Sequence, residues 1–207
     1  MPLTVLHQDR DVLAVDKPAG LLSVPGKGPD KADCAQARLE AEGLRVYPAH
    51  RLDMGTSGVL LFALRRSAER ELHRQFRERE VQKVYVARVA GHPSIDTGEI
   101  DAPLAVLAGE PRSEVSASGK AALTSYRVLC RDDDGTSLIE LRPHTGRSHQ
   151  LRVHLCHLGF PILGDPIYAP PGVASASERL CLHAVELRCS HPYSREPLSL
   201  RAPIPFR

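Results

Sequence analysis

The stretch His50-Arg51-Leu52-Asp53-Met54-Gly55-Thr56-Ser57-Gly58 sets an arginine, a carboxylate and two hydroxyl residues directly before the apolar run Val59-Leu60-Leu61-Phe62-Ala63-Leu64. An apolar run bounded by glycine predicts a strand buried on both faces. Gly55 and Gly58 predict a kinked loop at its entrance. A charged residue at the mouth of a rigid, buried strand is placed for nucleophilic or acid–base work, and Asp53 is the residue expected to do it.

A second constellation runs from Arg142 to His154. A strand is expected to end at Pro143, Gly146 to turn the chain, and Ser148 to cap a helix reaching Leu158 and closing at Gly159. Arg152 then lies near the helix N-terminus, where a cation opposes the helix dipole at a cost of ~0.3–1 kcal/mol. Leu151, Leu155 and Leu158 form the core-facing stripe, with Arg152 half-buried at its border. Such an arginine needs an anionic partner, a side chain or a phosphate, and Asp53 is the expected one. His149, His154, His157 and Cys156 lack metal-ligand spacing, so no metal is expected. No P-loop, Rossmann fingerprint or Gly-x-Ser-x-Gly elbow is present.

The elements that must carry these residues are mostly strands. Leu3–His7 and Val12–Asp16 flank a turn, Lys17–Gly20 makes another turn, and 25–30 is loop. Helices are expected over 31–44 and from an N-cap at Ser67, the latter burying Ala68, Leu72 and Phe76. That helix also carries Arg66, Arg70, Arg74 and Arg77, with Glu69, Glu71, Glu78 and Glu80 interleaved. This face is either a self-paired solvated surface or an RNA contact. Lys83–Ala90, Thr124–Cys130, Ser137–Leu141, 180–189 and 197–201 predict further strands, and 91–120 short strands and long loops. Strands outnumber helices without alternating regularly, which predicts an α+β fold: a mixed, mainly antiparallel central sheet flanked by helices and loops.

Composition bounds the function classes. The 207 residues fit one domain, and no apolar run reaches the ~18 residues of a membrane span. The five cysteines form no Cys-x-x-Cys pair, which suits reduced thiols in a cytoplasm. Net charge is only +2, yet most of the 27 basic residues are arginine, whose planar fork suits phosphate. A GC-rich genome would enrich arginine equally. Aromatics are 4% with no tryptophan, so an RNA partner would be read through shape and backbone rather than by stacking.

Three ordered stretches, His50-Arg51-Leu52-Asp53 through Thr56-Ser57-Gly58, Lys83-x-Tyr85-x-Ala87, and Thr145-Gly146-Arg147 through His149-Gln150-Leu151-Arg152, resemble the signature motifs of RluA-type RNA pseudouridine synthases. The likeness continues in Lys17-Pro18-Ala19-Gly20, Gly119-Lys120, Gly164-Asp165 and Leu182-His183-Ala184. Asp16 departs from the pattern, since relatives often carry asparagine there. Leu21–Gly26 and Gln75–Glu80 resemble the A-type branch, which implies 23S ribosomal RNA and the tRNA anticodon stem-loop as substrates.

The resemblance implies that Asp53 is the essential carboxylate, as nucleophile or as the base that starts glycal formation. It implies that Arg152 aims the carboxylate and that Tyr85 lies against a flipped uracil, where its phenol can handle the C5 proton. Arg51 would fill the space the base vacates. Arg147 and His149, at a helix N-terminus, would hold phosphate, with His50 and Lys83 as further RNA contacts. No cofactor and no obligatory protein partner are implied. The expected product is a monomer, one catalytic domain over residues 1–207, without the S4 RNA-binding domain that many relatives carry. An RNA-binding module that had lost catalysis would lack the motif carboxylate or tyrosine; both are present.

Overall fold

Thr4, Val5 and Leu6 open Thr4–Gln8 (β1), the apolar run Val12 to Val15 opens Val12–Lys17 (β2), and the two strands pair antiparallel around a turn capped by Asp9. The computed structural model describes residues 2–28 and 31–206; of the loop expected over 25–30, positions 29 and 30 lie outside the described residues. The chain forms two compact units, Met1–Lys83 with Ala184–Ile204, and Val84–His183 with Pro205–Arg207.

Along the chain the elements after β2 are α1 (Ala35–Ala41), β3 (Tyr47–Pro48), β4 (Ser57–Ala63), α2 (Arg66–Arg77), β5 (Gln82–Ala90), β6 (Thr97–Asp101), β7 (Leu104–Val106) and β8 (Ser113–Val115). They continue with β9 (Leu123–Arg131), β10 (Thr136–Pro143), α3 (Gln150–His157), α4 (Pro171–Ala174), β11 (Leu182–Ser190) and β12 (Pro197–Arg201). In the first unit the strand order is β1-β2-β4-β11, with β3 on β4 and β12 on β11. The pairings β2·β4, β3·β4 and β11·β12 are antiparallel. In the second unit β5-β10-β9-β6 is antiparallel throughout, and β7 and β8 make a separate hairpin. The α+β expectation holds.

Every residue of β4 is buried, as its composition demands. Val59, Leu61 and Ala63 pack with Val12, Ala14, Leu72 and Leu187 in one core cluster. At ~1.5–3 kcal/mol per fully buried aliphatic or aromatic side chain, this strand anchors whatever precedes it. The second unit has its own core, where Ala87, Val89, Ile139, Leu141, Leu151 and Leu155 meet.

Helix boundaries differ from expectation. α1 is shorter than 31–44: it starts at Ala35, where the Cys34 Sγ caps it by accepting from Ala37 N–H at 3.3 Å, and it closes as expected near Gly43 at φ +85°, Leu44 N–H bonding back to Leu39 C=O at 3.1 Å. α2 is capped by extended Arg65 and Ser67 lies inside it. α3 starts at Gln150 with His149 as cap, and Ser148 is exposed ahead of it. The arginine face of α2 is largely self-paired: Arg74 binds Glu71 at 2.8 Å, Glu80 at 2.7 Å and also Glu78, and Arg66 binds Glu69 at 2.9 Å. Among the described residues no helix is long and apolar enough to cross a membrane.

Candidate active site

Asp53 sits half-buried in a loop held on both sides by the Lys17–Ser23 segment. Before it, the Ser23 hydroxyl donates to Leu52 C=O at 2.8 Å and accepts from Leu52 N–H at 2.9 Å. After it, Met54 C=O accepts from Gly20 N–H at 2.9 Å and from Lys17 Nζ at 3.2 Å. Lys17 is fully buried, and its ammonium also donates to Leu21 C=O at 2.6 Å and Pro18 C=O at 2.9 Å. A buried cation is tolerated only when dipoles replace its water, and here the ring of carbonyls does so while fixing the loop. Thr56 N–H closes the turn onto Asp53 C=O at 3.1 Å. The clamp fixes the backbone of the carboxylate from both sides.

Ser23→Ala therefore leaves both backbone groups of buried Leu52 without their partner. We expect it to lower stability by ~1–3 kcal/mol and to reduce turnover more than RNA affinity. Chemical denaturation and single-turnover assays on the one variant check both.

Arg51 is exposed. His50 is turned inward: its Nε2 accepts from Leu61 N–H at 3.1 Å and its ring stacks on Phe76 at 5.0 Å. Accepting from a backbone amide requires a neutral ring, and burial, aided by the Lys83 charge, pushes its pKa down to about 3. Lys83 is itself pushed below its ordinary value by burial. The unfolded chain protonates this histidine near pH 6.5, whereas the fold resists protonation down to about 3. Its stabilising contribution is thus complete above pH 6.5 and is lost as pH falls through that window. His154, likewise lowered by burial, acts in the same direction. Denaturant midpoints at pH 7.5 and 4.5 should differ less for His50→Gln than for the parent chain.

The second unit arranges the other motif residues. Tyr85 is half-buried on β5, opposite Leu141 of β10, and packs against that unit's core. Thr145 donates to Gln150 Oε1 at 2.7 Å, and Gln150 Nε2 donates to Thr124 Oγ1 at 3.0 Å and Leu123 C=O at 3.0 Å. The chain of bonds ends at His154, whose Nδ1 lies 2.9 Å from Thr124 Oγ1 and whose Nε2 donates to Ala102 C=O at 3.0 Å. Both ring nitrogens of His154 serve the fold. Arg147 N–H is bound by Gln150 Oε1 at 3.0 Å and its Nε donates to Ala121 C=O at 3.0 Å. This network sets the 145–150 turn, and His149 occupies the left-handed region there at φ 55°, a conformation costing a non-glycine residue ~1–2 kcal/mol.

Arg152 is buried rather than half-buried, and one carboxylate that it binds is Asp165: Nε donates to Oδ2 at 2.8 Å and Nη2 to Oδ1 at 2.6 Å. Burial alone would raise the Asp165 pKa. The hydrogen bonds and charge of Arg152, with the N–H groups of Ile167 and Tyr168, outweigh it and hold the carboxyl below its ordinary value. Tyr168 lies under the guanidinium, 5.0 Å from ring centroid to Cζ, with its hydroxyl 2.7 Å from His149 Nδ1. Sequence reasoning gave Asp165 and Tyr168 no role. The available signal was Asp165-Pro166, an Asx-turn initiator that fixes a carboxylate against its own backbone. Within this unit, then, His149 and Arg152 meet at Tyr168; Asp53, Arg51, His50 and Lys83 belong to the other unit.

Residues 11–157 match the family described as RNA pseudouridylate synthase. The chain is 47% identical over 206 residues to the "Dual-specificity RNA pseudouridine synthase RluA" of Yersinia pestis, covering 99% of this chain and all of that one. It is 50% identical to the protein of the same name from Pasteurella multocida, covering 99% of this chain and 94% of the relative. Among solved structures, Human RNA Pseudouridylate Synthase Domain Containing 1 superposes with a TM-score of 0.84 at 31% identity, over 99% of this chain and 84% of that one. Human RNA Pseudouridylate Synthase Domain Containing 4 follows at 0.77 and 27%, over 98% and 88%. Identity of this degree along nearly the whole chain places it in the RNA pseudouridylate synthase family, among its RluA-type members.

Proposed function

We propose that this chain isomerises uridine to pseudouridine at chosen positions in both 23S ribosomal RNA and the anticodon stem-loop of tRNA. What supports the reading is end-to-end likeness to relatives named as dual-specificity enzymes, in a chain whose three motifs are intact at Asp53, Tyr85 and Arg152. The Asp53 carboxylate starts cleavage of the C1′–N1 bond, either by attacking C1′ or by removing the proton that leads to a glycal. The freed uracil turns and C5 bonds to C1′, breaking the Asp53 ester bond on the first route or with the proton returned to C2′ on the second; the C5 proton then leaves, with Tyr85 as the group that handles it, and N1 takes up a proton. The base is both leaving group and returning nucleophile, so the isomerisation balances without a cofactor.

Arg51, exposed beside the catalytic loop, takes the place of the extruded base, whose removal from the stack costs a few kcal/mol. Arg147, His149 and Lys83 contact the RNA backbone. His50, with its Nε2 on Leu61 N–H, is assigned to holding the loop. The enzyme acts as a monomer in the cytoplasm without an obligatory protein partner.

Mapping pseudouridine in total RNA from cells with and without the gene tests the assignment. The reading expects at least one 23S site and one tRNA anticodon-stem site to vanish together and to return when the gene is restored. Loss confined to one RNA class contradicts dual specificity, and no loss contradicts the function.

A further inference from the structure

The turn Asp165-Pro166-Ile167-Tyr168 touches two motif residues at once, by two different groups. Asp165 is 1% exposed and holds the 4% exposed Arg152 side-on through Nε and Nη2. Its Oδ1 also accepts from Ile167 N–H at 2.9 Å and Tyr168 N–H at 3.2 Å, so the carboxylate cannot swing away from its own turn. The Tyr168 ring lies against the flat face of the same guanidinium, 5.0 Å from Cζ. Edge and face of Arg152 are therefore both fixed by one four-residue segment. The hydroxyl of Tyr168 meets His149 Nδ1 at 2.7 Å and accepts from Ser113 N–H of β8 at 2.9 Å. It thereby holds a histidine whose left-handed backbone needs external support.

Stability alone does not account for the pair. A buried ion pair gains little over well-packed apolar side chains of the same volume, because desolvating both charges offsets their attraction. A bidentate, stacked arginine is instead the arrangement that holds a guanidinium in one orientation.

We infer that Asp165 and Tyr168 are positioning residues of the isomerisation, Asp165 acting on turnover through Arg152 and Tyr168 acting on RNA binding through His149. The inference rests on the role that the resemblance implies for Arg152, aiming the Asp53 carboxylate, and on the RNA contact proposed for His149. The isosteric variants keep the packing: Asp165→Asn retains an oxygen for the turn, and Tyr168→Phe retains the ring under Arg152.

Single-turnover kinetics on a C5-tritiated tRNA anticodon stem-loop separates the two parameters. Asp165→Asn is expected to lower the rate constant for chemistry by about 10- to 100-fold with the RNA Kd within about threefold, as a misaimed group does. Tyr168→Phe is expected to raise the RNA Kd about three- to tenfold with the chemical step within about twofold. In an Arg152→Lys background, Asp165→Asn should add less than about threefold, since its effect is transmitted through the arginine. Asp165→Glu, which keeps the charge but displaces the guanidinium, should lose turnover while melting near the parent temperature. It decides the matter if Asp165→Asn does not fold.

Four results overturn the inference: parent-like turnover in Asp165→Glu, a full Asp165→Asn loss persisting in the Arg152→Lys background, both variants lowering the same parameter in step with their melting temperatures, or an unchanged Kd in Tyr168→Phe. An inactive parent chain on this RNA, by contrast, would count against the proposed function itself.

Discussion

Asp53→Asn should abolish pseudouridine formation, by at least about a thousandfold in single-turnover rate, while RNA affinity stays within about threefold. The amide is isosteric with the carboxylate, so the loop clamped at Leu52 by Ser23 and at Met54 by Lys17 and Gly20 keeps its shape. What disappears is the negative charge, and with it both the nucleophile and the base. Affinity is expected to survive because RNA is held mainly through phosphates, by arginines and backbone N–H groups that the substitution leaves alone. Tritium release gives the rate, and filter binding gives the affinity. A variant turning over within about tenfold of the parent would remove Asp53 from the reaction.

Gly58→Ala should be the most damaging single-methyl change in the first unit. Gly58, the second residue of β4, sits at φ +108°, a region that side-chain-bearing residues rarely adopt. A Cβ built there lies 2.7 Å from Ala184 N and closer still to Ala184 O, both backbone atoms of β11 that have no rotamer to relax into. Backbone strain and steric overlap together should cost about 3 kcal/mol or more. Because Gly58 follows the Asp53 loop near the start of its anchoring strand, any folded fraction should also be slow in turnover. Thermal melts and soluble yield check the first part; Gly172→Ala, in α4, where an added Cβ meets nothing within 4 Å, serves as the control. Equal stability of the two variants would show that the strand can shift.

The parts of the fold that depend on local pattern were legible in the sequence. Val59 to Ala63 could only be a strand covered on both faces, and it is. The alternation in 83–90 and the turn signals around Gly43 and Gly135 placed their elements within a few residues. Helix starts were less legible, because tertiary contacts replaced side-chain caps. Ser67 and Ser148 were outcompeted by Arg65 and by a left-handed His149 that the 145–150 network and Tyr168 support from elsewhere in the chain.

The candidate site divides the same way. Asp53, Tyr85 and Arg152 stand out as residue types in ordered motifs. Their supports do not, because a support is defined by a contact distant in sequence. Ser23 reaches Leu52 across 29 positions, and Asp165 reaches Arg152 across 13. Arg152 was expected to need a carboxylate, and Asp165, fixed beside it by an Asx turn, is one that sequence reasoning gave no role.

The central claim is that this chain isomerises uridine in RNA with its own side chains. Its most direct test is purified protein, treated with a chelator, incubated with C5-tritiated 23S ribosomal RNA and tRNA transcripts. The account predicts release of one tritium for each pseudouridine found by mass spectrometry in the same RNA, with none released by the Asp53→Asn chain. Absence of both tritium and pseudouridine from the parent reaction on either RNA, at protein concentrations where binding is seen, would contradict it.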